Sequence, residues 1–434
     1  MNKLVLKIAS QTLALATIAI AAIGVQSCSS NDTDTATVVV DQDKLDELEQ
    51  LALDSWIEIN YPDAMTKQSQ GYYTSDVYTF SSNTKTDSSD LTYTNSTSPV
   101  WVRFNILSAD LDGNICNTRD EDVATQQGTF TYYTHYTPYV QYIGETENSS
   151  DFIDLLFRNS EVNLKVGDMI DVFAPSKLVY TANGIGGYAG QYYAGNNIPI
   201  KSTIEIVEIY SDLDELQSDD ISDFITLNSL GGWSEPYNTE LSEEEREEDT
   251  YTENLYYTMN YTPGVDPVKF MEQYSTTRIN YSDINTKVDE ILAELFNNGD
   301  FNTSSADDDI IGVSNYVNVW YITRLPDGFI IDTNIEAIRE LVFKDYSQSN
   351  ITAISYQASS DINTYIAAWY CTIPMMKYGS SAIMITDSVY AYGEYGSYGS
   401  STSTEIQPYT PLVFQLFIEP ENYGSDDDDD DSDE

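Results

Sequence analysis

Three cysteines and one histidine are the only side chains among 434 residues that could supply a thiolate or an imidazole. Cys28 directly follows Val25-Gln26-Ser27, and an apolar run from Leu13 to Val25, broken only by Thr17 and Gly24, stands behind Lys3 and Lys7. A basic segment, a short apolar segment and small residues before a cysteine are the pattern of a leader cleaved ahead of a thiol that is then acylated. The run falls short of the roughly 20 apolar residues that a spanning helix needs. Acyl chains on Cys28 would instead anchor the mature chain, at about 0.8 kcal/mol per buried CH₂. An ordinary secretory leader is the other reading. Cys116 and Cys371 lie far apart in the chain and predict two buried free thiols rather than a disulfide framework. With His135 alone, serine triads, Cys-His dyads and histidine zinc sites lack their parts. Any catalysis must therefore run without a histidine base, and no cofactor or metal is expected.

The charge balance narrows the partners. Lys and Arg number 19 against 71 Asp and Glu, a net charge of −52, and removal of residues 1–27 with Lys3 and Lys7 takes it to about −54. A field of that sign repels phosphates, so nucleic acid is excluded as a partner. Acidic runs at Glu240 to Asp249 and Asp426 to Glu434 read as solvated segments, with divalent-cation binding as the alternative. Tyrosines number 35 against 14 phenylalanines, clustered at Tyr132-Tyr133, Tyr188, Tyr192-Tyr193 and Tyr390 to Tyr398. Such clusters suit contacts with proteins or glycans, and equally suit half-exposed strands.

An internal repeat must position whatever chemistry there is. Val166 to Tyr180 aligns without a gap on Tyr378 to Tyr392, sharing Gly167/Gly379, Ser176/Ser388 and Tyr180/Tyr392 at an offset of 212. Asp112-Gly113 recurs as Asp327-Gly328, and Ile198-Pro199-Ile200 as Ile406-Gln407-Pro408 at an offset of 208. A duplication of that period means two copies of one domain. In each copy a period-2 strand (Val100, Val102, Phe104, Ile106; Val317, Val319, Tyr321) leads into an Asp-Gly turn. A helix is predicted from Asp361 through Ile362, Tyr365, Ile366 and Trp369, with Asp151 to Leu156 as its shorter counterpart. Thr203 to Ile209 and Leu412 to Ile418 close the copies as strands. The fold class is α+β, an antiparallel sheet wrapped around a short helix, built twice.

The expected organisation is a leader over 1–27, a polar tether over 28–41, a first domain over 42–212 and a linker over 213–313. A second domain over 314–420 and an acidic tail over 421–434 complete it. Lys44 to Asn60 is expected to form a helix and Tyr72 to Phe80 a strand, both packing on the first domain. The linker, with helix-like Ile284 to Phe296, shows no recognisable chemistry.

Met376-Lys377-Tyr378-Gly379, Ser388-Val389-Tyr390-Ala391-Tyr392-Gly393, Ile406-Gln407-Pro408 and Pro411-Leu412-Val413-Phe414 follow strand, Asp-Gly turn and aromatic helix in the order of an FKBP domain. The chain therefore resembles the FKBP-type peptidyl-prolyl isomerases, over about residues 97–210 and 315–420. The resemblance implies a pocket in the second copy made of Tyr321, Asp332, Trp369, Tyr392, Ile406 and Phe414. Ile331 stands where the family usually has phenylalanine, and a helix-like insertion from Ile335 to Tyr346 follows. In the first copy the corresponding positions would be Phe104, Cys116, Asn117, Phe157, Tyr180, Ile198 and Ile206, a degenerate site. Gly184 to Asn197 and Glu394 to Glu405 would be the loops over the two pockets.

By that resemblance the function is prolyl isomerisation or folding assistance in the cell envelope, on proline-containing clients, through the second domain. Catalytically silent binding modules and a surface adhesin or glycan-binding protein are the alternatives. Ser29 after Cys28 and the acidic residues beyond it resemble sorting to the outer membrane, with the cell surface as a further destination.

Overall fold

The computed structural model describes residues 41–79, 100–144, 152–158, 162, 164–180, 184–187, 191–228, 232–234, 255–259, 267–270, 281–298, 310–344, 352–361, 364–399 and 403–419. Cys28, the leader, the tether, the run from Glu240 to Asp249 and the acidic tail lie outside them. Among the described residues no helix is long and apolar enough to cross a membrane.

Helix α1 (Gln42–Asn60) starts where the Asp41 carboxylate accepts the Lys44 amide, and buries Glu49, Leu53 and Ile57 at a spacing of four. Short strands β1 (Thr66–Lys67), β2 (Tyr73–Thr74) and β3 (Tyr78–Thr79) follow. Strand β4 (Val100–Asp110) alternates buried and half-buried residues along its length. It turns into β5 (Ile115–Thr118) through Asp110, whose carboxylate accepts the amides of Asp112 and Asn114, and Gly113 at φ 91°. Then come α2 (Glu121–Gln127), β6 (Tyr139–Ile143), α3 (Phe152–Arg158), β7 (Asp168–Ala174), α4 (Ser176–Val179), the small pair β8 (Ile185–Gly186) and β9 (Tyr193–Ala194), and β10 (Ile200–Tyr210). The sheet runs β1-β2-β7-β10-β4-β5, with β3 on β7 and β6 on β4, every pairing antiparallel. Its inner face holds Val102, Phe104, Ile170, Val172, Ile204 and Ile206 against Phe152, Leu156 and Phe157 of α3.

The second sheet repeats this plan. Helix α5 (Leu213–Leu227), strand β11 (Leu255–Thr258) and helix α6 (Tyr281–Asn298) precede β12 (Val317–Arg324) and β13 (Ile330–Thr333). Helix α7 (Glu336–Phe343), β14 (Ile354–Tyr356), α8 (Ala358–Asp361), α9 (Ala367–Thr372), β15 (Ser381–Thr386) and β16 (Leu412–Ile418) follow. The order is β11-β15-β16-β12-β13, with β14 on β12. Strands β15-β16-β12-β13 occupy the places of β7-β10-β4-β5, so the sequence repeat is a repeat of topology. The register agrees residue by residue: Ala174 faces Ile200 as Thr386 faces Leu412, both at an offset of 212.

Residues 213–313 do more than connect. Strand β11 pairs with β15 and extends the second sheet. Ile221 and Phe224 of α5 and Val288 and Leu292 of α6 pack with Ile322, Ile383, Ile385, Val413 and Phe417 on the outer face of that sheet. The second sheet is thus covered on both faces, and every residue of β15 and β16 is buried.

Two predicted elements differ: the strand expected over Tyr72 to Phe80 is split into β2 and β3, with Phe80 outside the described residues, and a helix is interrupted. The helix expected from Asp361 through Trp369 is broken: α8 ends at Asp361, whose carboxylate accepts the Gln357 amide at 2.8 Å, and α9 starts only after Ile366. Asp361 closes the preceding turn instead of capping a helix, because a carboxylate can hold a backbone N–H on either side of itself. The predicted Ile335–Tyr346 insertion is α7, of which Tyr346 lies outside the described residues.

Candidate functional site

Strands β12 and β13 bring the first two predicted residues together. Their pairing sets Thr323 against Asp332, and the Tyr321 hydroxyl donates to Asp332 Oδ2 at 2.6 Å. The other carboxylate oxygen accepts Arg339 Nη1 from α7 at 3.1 Å. Burial, reinforced by the Asp332 charge, pushes the Tyr321 hydroxyl well above the ordinary phenol range. Tyr392 is raised for the same reasons in the same order, although its ring is 41% exposed. Both hydroxyls are therefore neutral donors throughout the physiological range.

Trp369 is the hub beside this pair. Tyr321 meets its ring edge-on at 5.4 Å and 70°, Tyr356 at 5.8 Å and 80°, and Phe414 at 6.4 Å and 82°. Tyr365 lies parallel to it, 5.3 Å away at 11°, and the indole is only 4% exposed. Ile406, Phe414 and Ile331 are buried in the same cluster. Helix α9 is tied to the turn before Tyr392 by the Ala368 amide, which donates to the Tyr390 carbonyl at 2.9 Å. The turn itself is held by α5: the Ser388 amide donates to Gln217 Oε1 at 2.7 Å, and Gln217 Nε2 donates to Ser388 Oγ at 3.2 Å. Tyr321, Trp369, Ile406 and Phe414 thus share one core cluster, Asp332 is bonded to it through Tyr321, and Tyr392 stands at its exposed edge within electrostatic reach of Asp332.

Sequence reasoning missed two members. Arg339 sits in the helix read as an insertion, and nothing in the linear spacing showed that α7 folds back onto Asp332. Tyr365 precedes Trp369 by four residues, a spacing compatible with one helical face; the missed signal was that an aromatic there could cover the indole rather than merely neighbour it.

In the first unit the corresponding residues form a packed core. Phe104, Phe157, Tyr180 and Ile206 are buried in one cluster with Cys116, and Ile198 packs against it. The Tyr180 hydroxyl donates to the Ile198 carbonyl. Burial pushes the Cys116 thiol up to about 12, so it is inert at neutral pH. Asn117 faces Ser108 as Asp332 faces Thr323, which makes it the counterpart of the acid.

Two assignments made from the sequence are corrected by strand register. Tyr321 pairs with Leu416 as Ile106 pairs with Ile204, so the counterpart of Tyr321 is Ile106 rather than Phe104. Phe414 pairs with Met384 as Ser202 pairs with Val172, so the counterpart of Phe414 is Ser202 rather than Ile206. The Ile-x-Pro motif suggested an offset of 208 for the last strands because the loops before them differ in length, while β7 and β10 map onto β15 and β16 at 212 and β4 and β5 onto β12 and β13 at 215. A hydroxyl nevertheless reaches Asn117 from another strand: Tyr139 Oη donates to Asn117 Oδ1 at 3.3 Å, with the Arg119 guanidinium 3.8 Å above the Tyr139 ring.

The two units meet at a small cleft of about 70 Å³ whose lining includes Arg103, Arg119, His135, Asp220, Asp327 and Glu405. His135 Nε2 lies 2.8 Å from Asp327 Oδ2, and its Nδ1 3.1 Å from Thr137 Oγ1. Arg119 Nη2 donates to Glu405 Oε2 at 2.5 Å, with the arginine side chain 3% exposed. Burial raises Asp220 to about 6 despite the nearby Arg103. Among the described residues no group of three or more His, Cys, Asp and Glu is placed to hold a metal ion.

No protein-family model matches the chain, and no curated protein is similar to it in sequence. Among solved structures it is similar to the three FKBP domains of wheat FKBP73, at 10% identity over 81% of this chain and 95% of that one, with a TM-score of 0.22. It is also similar to a peptidyl-prolyl cis-trans isomerase of Pseudomonas syringae pv. tomato, at 17% identity over 48% of this chain and 94% of that one, with a TM-score of 0.24. Superpositions that loose carry no weight by themselves. The fold and the site stand on the strand pairing and the contacts within this chain.

Proposed function

We propose that the second unit is an FKBP-type peptidyl-prolyl isomerase domain, carried by a lipoprotein of the cell envelope anchored through Cys28. The observation that carries the enzymatic reading is the cluster in which Tyr321 bonds Asp332 while Trp369 and Phe414 pack beside them, with Tyr392 at the open edge. The chemistry asks little of the protein. An Xaa-Pro bond turns over a barrier of roughly 18–20 kcal/mol that comes from losing amide resonance, and the twisted amide has less charge separation than the planar one. An apolar aromatic enclosure therefore favours the twisted form over the planar ground state. The Tyr392 hydroxyl, neutral and partly exposed, is available to donate to the carbonyl before the proline. No nucleophile and no general base are required, in keeping with a chain that has one histidine.

A specific feature favours a second reading, a binding module without turnover: the parallel Tyr365 ring and the 4% exposure of the indole leave no open face on Trp369. A prolyl ring reaches that face only when Tyr365 swings away. Exchange between cis and trans signals of a short Xaa-Pro peptide, followed by NMR with the intact chain, separates the two. Enhanced exchange supports the isomerase; line broadening of the peptide without enhanced exchange supports the binding module. The anchor is tested by metabolic labelling with a fatty-acid analogue: Cys28→Ser should lose the label, and undiminished label on the variant would refute it.

A further inference from the structure

The first unit carries Ile106, Asn117 and Ser202 where the second has Tyr321, Asp332 and Phe414, and its rim grips the second unit at two places that frame the cluster there. The first grip is on the loop before β16. Arg119, almost wholly buried, donates to Glu405 at 2.5 Å, and the Val140 amide donates to Gln407 Oε1 at 3.1 Å. Gln407 Nε2 donates in turn to Thr137 Oγ1 at 3.5 Å, and Tyr409 packs edge-on against Trp101 at 6.0 Å. Ile406 lies between the two held residues and turns into the aromatic cluster. The backbone of Ile406 itself exchanges hydrogen bonds with Ser397, within the same loop.

The second grip is on α7. The segment after α2 crosses to the second unit, where Tyr133 stacks on Phe343 at 4.6 Å and 2°, and His135 packs on Phe329 at 4.5 Å. Phe343 ends the helix that carries Arg339, whose guanidinium lies 5.5 Å over the Phe343 ring while it holds Asp332. One wall of the pocket and its acid are therefore both braced from outside the second unit.

We infer that the first unit is a built-in positioning element for the pocket of the second, with Arg119 the positioning residue that sets Ile406 through Glu405. The inference rests on the pocket reading given above for its functional consequence, but not for its structural one. Arg119 is suited to the task because its partner sits where a free loop would otherwise move: a buried guanidinium that loses its carboxylate is left as an uncompensated charge, so the joint is held closed rather than merely touching. The first unit carries, two residues beyond Asn117, the cation that orders the other unit's loop.

The test uses the intact chain with Arg119→Glu, Glu405→Arg, the double reversal, and Glu405→Gln as a mild variant on the more exposed partner. Hydrogen exchange of amides in 394–410 is read alongside kcat and KM for an Xaa-Pro peptide. The expected result is exchange at least about tenfold faster in each single reversal, a smaller increase in Glu405→Gln, and recovery in the double reversal. KM should rise severalfold in the single reversals with kcat little changed, since a loosened wall weakens binding of ground state and transition state alike. Unchanged loop exchange in Arg119→Glu and Glu405→Gln, or no recovery in the double reversal while the chain remains folded, overturns the inference. If the parent chain neither binds nor turns over the peptide, the pocket reading fails, and exchange with its recovery still decides whether Arg119 positions the loop.

Discussion

The two sheets share a strand order and differ in what covers them. The first presents β4 and β10 with one face buried and the other half-exposed, and IKSTIEIVEIY spells that alternation in β10. The second is sandwiched between its inner helix and the pair α5 and α6, and LVFQLFI in β16 is buried at every position. The sheet that is more deeply encased is the one that keeps a tyrosine bonded to an acid at a solvent-reaching edge. The half-covered sheet has filled the same place with Ile106, Asn117 and Ser202. A polar pair that must be held at a set distance gains from a stiff support, because rotamers locked by packing hold geometry more closely than a free surface does.

The largest test of this contrast removes the hubs. Trp369→Ala and Phe157→Ala each delete a buried aromatic, and each should destabilise its unit by about 3–5 kcal/mol in denaturant titrations. Only Trp369→Ala should also abolish enhanced Xaa-Pro exchange in the fraction that remains folded; equal loss from Phe157→Ala would erase the functional distinction between the units. Next in size is Tyr365→Ala, which uncovers the indole. It should tighten binding of a prolyl peptide by about tenfold, at some cost in stability, as removal of a competing internal contact does. Weaker binding would mean that Tyr365 is a wall of the site and not its cover.

Smaller again is the loss of one hydrogen bond. Tyr321→Phe removes one donor from the half-exposed Asp332 carboxylate, where water can take its place, and should cost about 0.5–1.5 kcal/mol, whereas Ile106→Phe in the first unit changes packing alone. Because Tyr321 and Tyr392 are both pushed above the ordinary phenol range, isomerisation should be flat between about pH 6 and 8. A rate that changes severalfold across that interval would place a different titrating group in the site.

A pH-dependent effect is expected at the joint between the units. Asp220 is raised by burial from 3.8 to about 6, so the folded state holds its proton more tightly than the unfolded state. Its ionisation therefore lowers stability progressively between about pH 4 and 6, by at most about 3 kcal/mol, and the loss is complete above that range. Asp220→Asn should raise the urea midpoint at pH 8 and leave it unchanged at pH 4, measured against the parent; an equal gain at both would assign the effect to packing.

Much of this architecture is legible along the chain. The period-2 strands at Val100 and Val317, the Asp-Gly turns and the shared Gly and Tyr positions at an offset of 212 follow from local rules that act over two to four residues. The apolar runs of β15, Ala382 to Ile385, and of β16, interrupted within by Gln415, also signal a sheet buried on both faces. What fills the second face was not readable from there, since α5 and α6 lie in a segment whose polar stretches conceal a few apolar anchors such as Phe224 and Leu292. The broken helix at Asp361 escaped because the same carboxylate serves a turn on one side or a helix on the other, and local sequence does not choose.

The sequence alone determined the duplicated α+β units, the scarcity of nucleophiles and bases, and the residue types available for an aromatic pocket, because composition and short-range periodicity are properties of the chain itself. Tertiary structure decided that Arg339 and Tyr321 share one carboxylate, that Tyr365 covers Trp369, that Ile106 and Ser202 are the true counterparts in the first copy, and that Arg119 reaches Glu405 across 286 residues. The Arg119–Glu405 bond and the strand registers join residues far apart in the chain, while Arg339 on Asp332 and Tyr365 on Trp369 depend on how the backbone turns between near neighbours, which side-chain periodicity does not state.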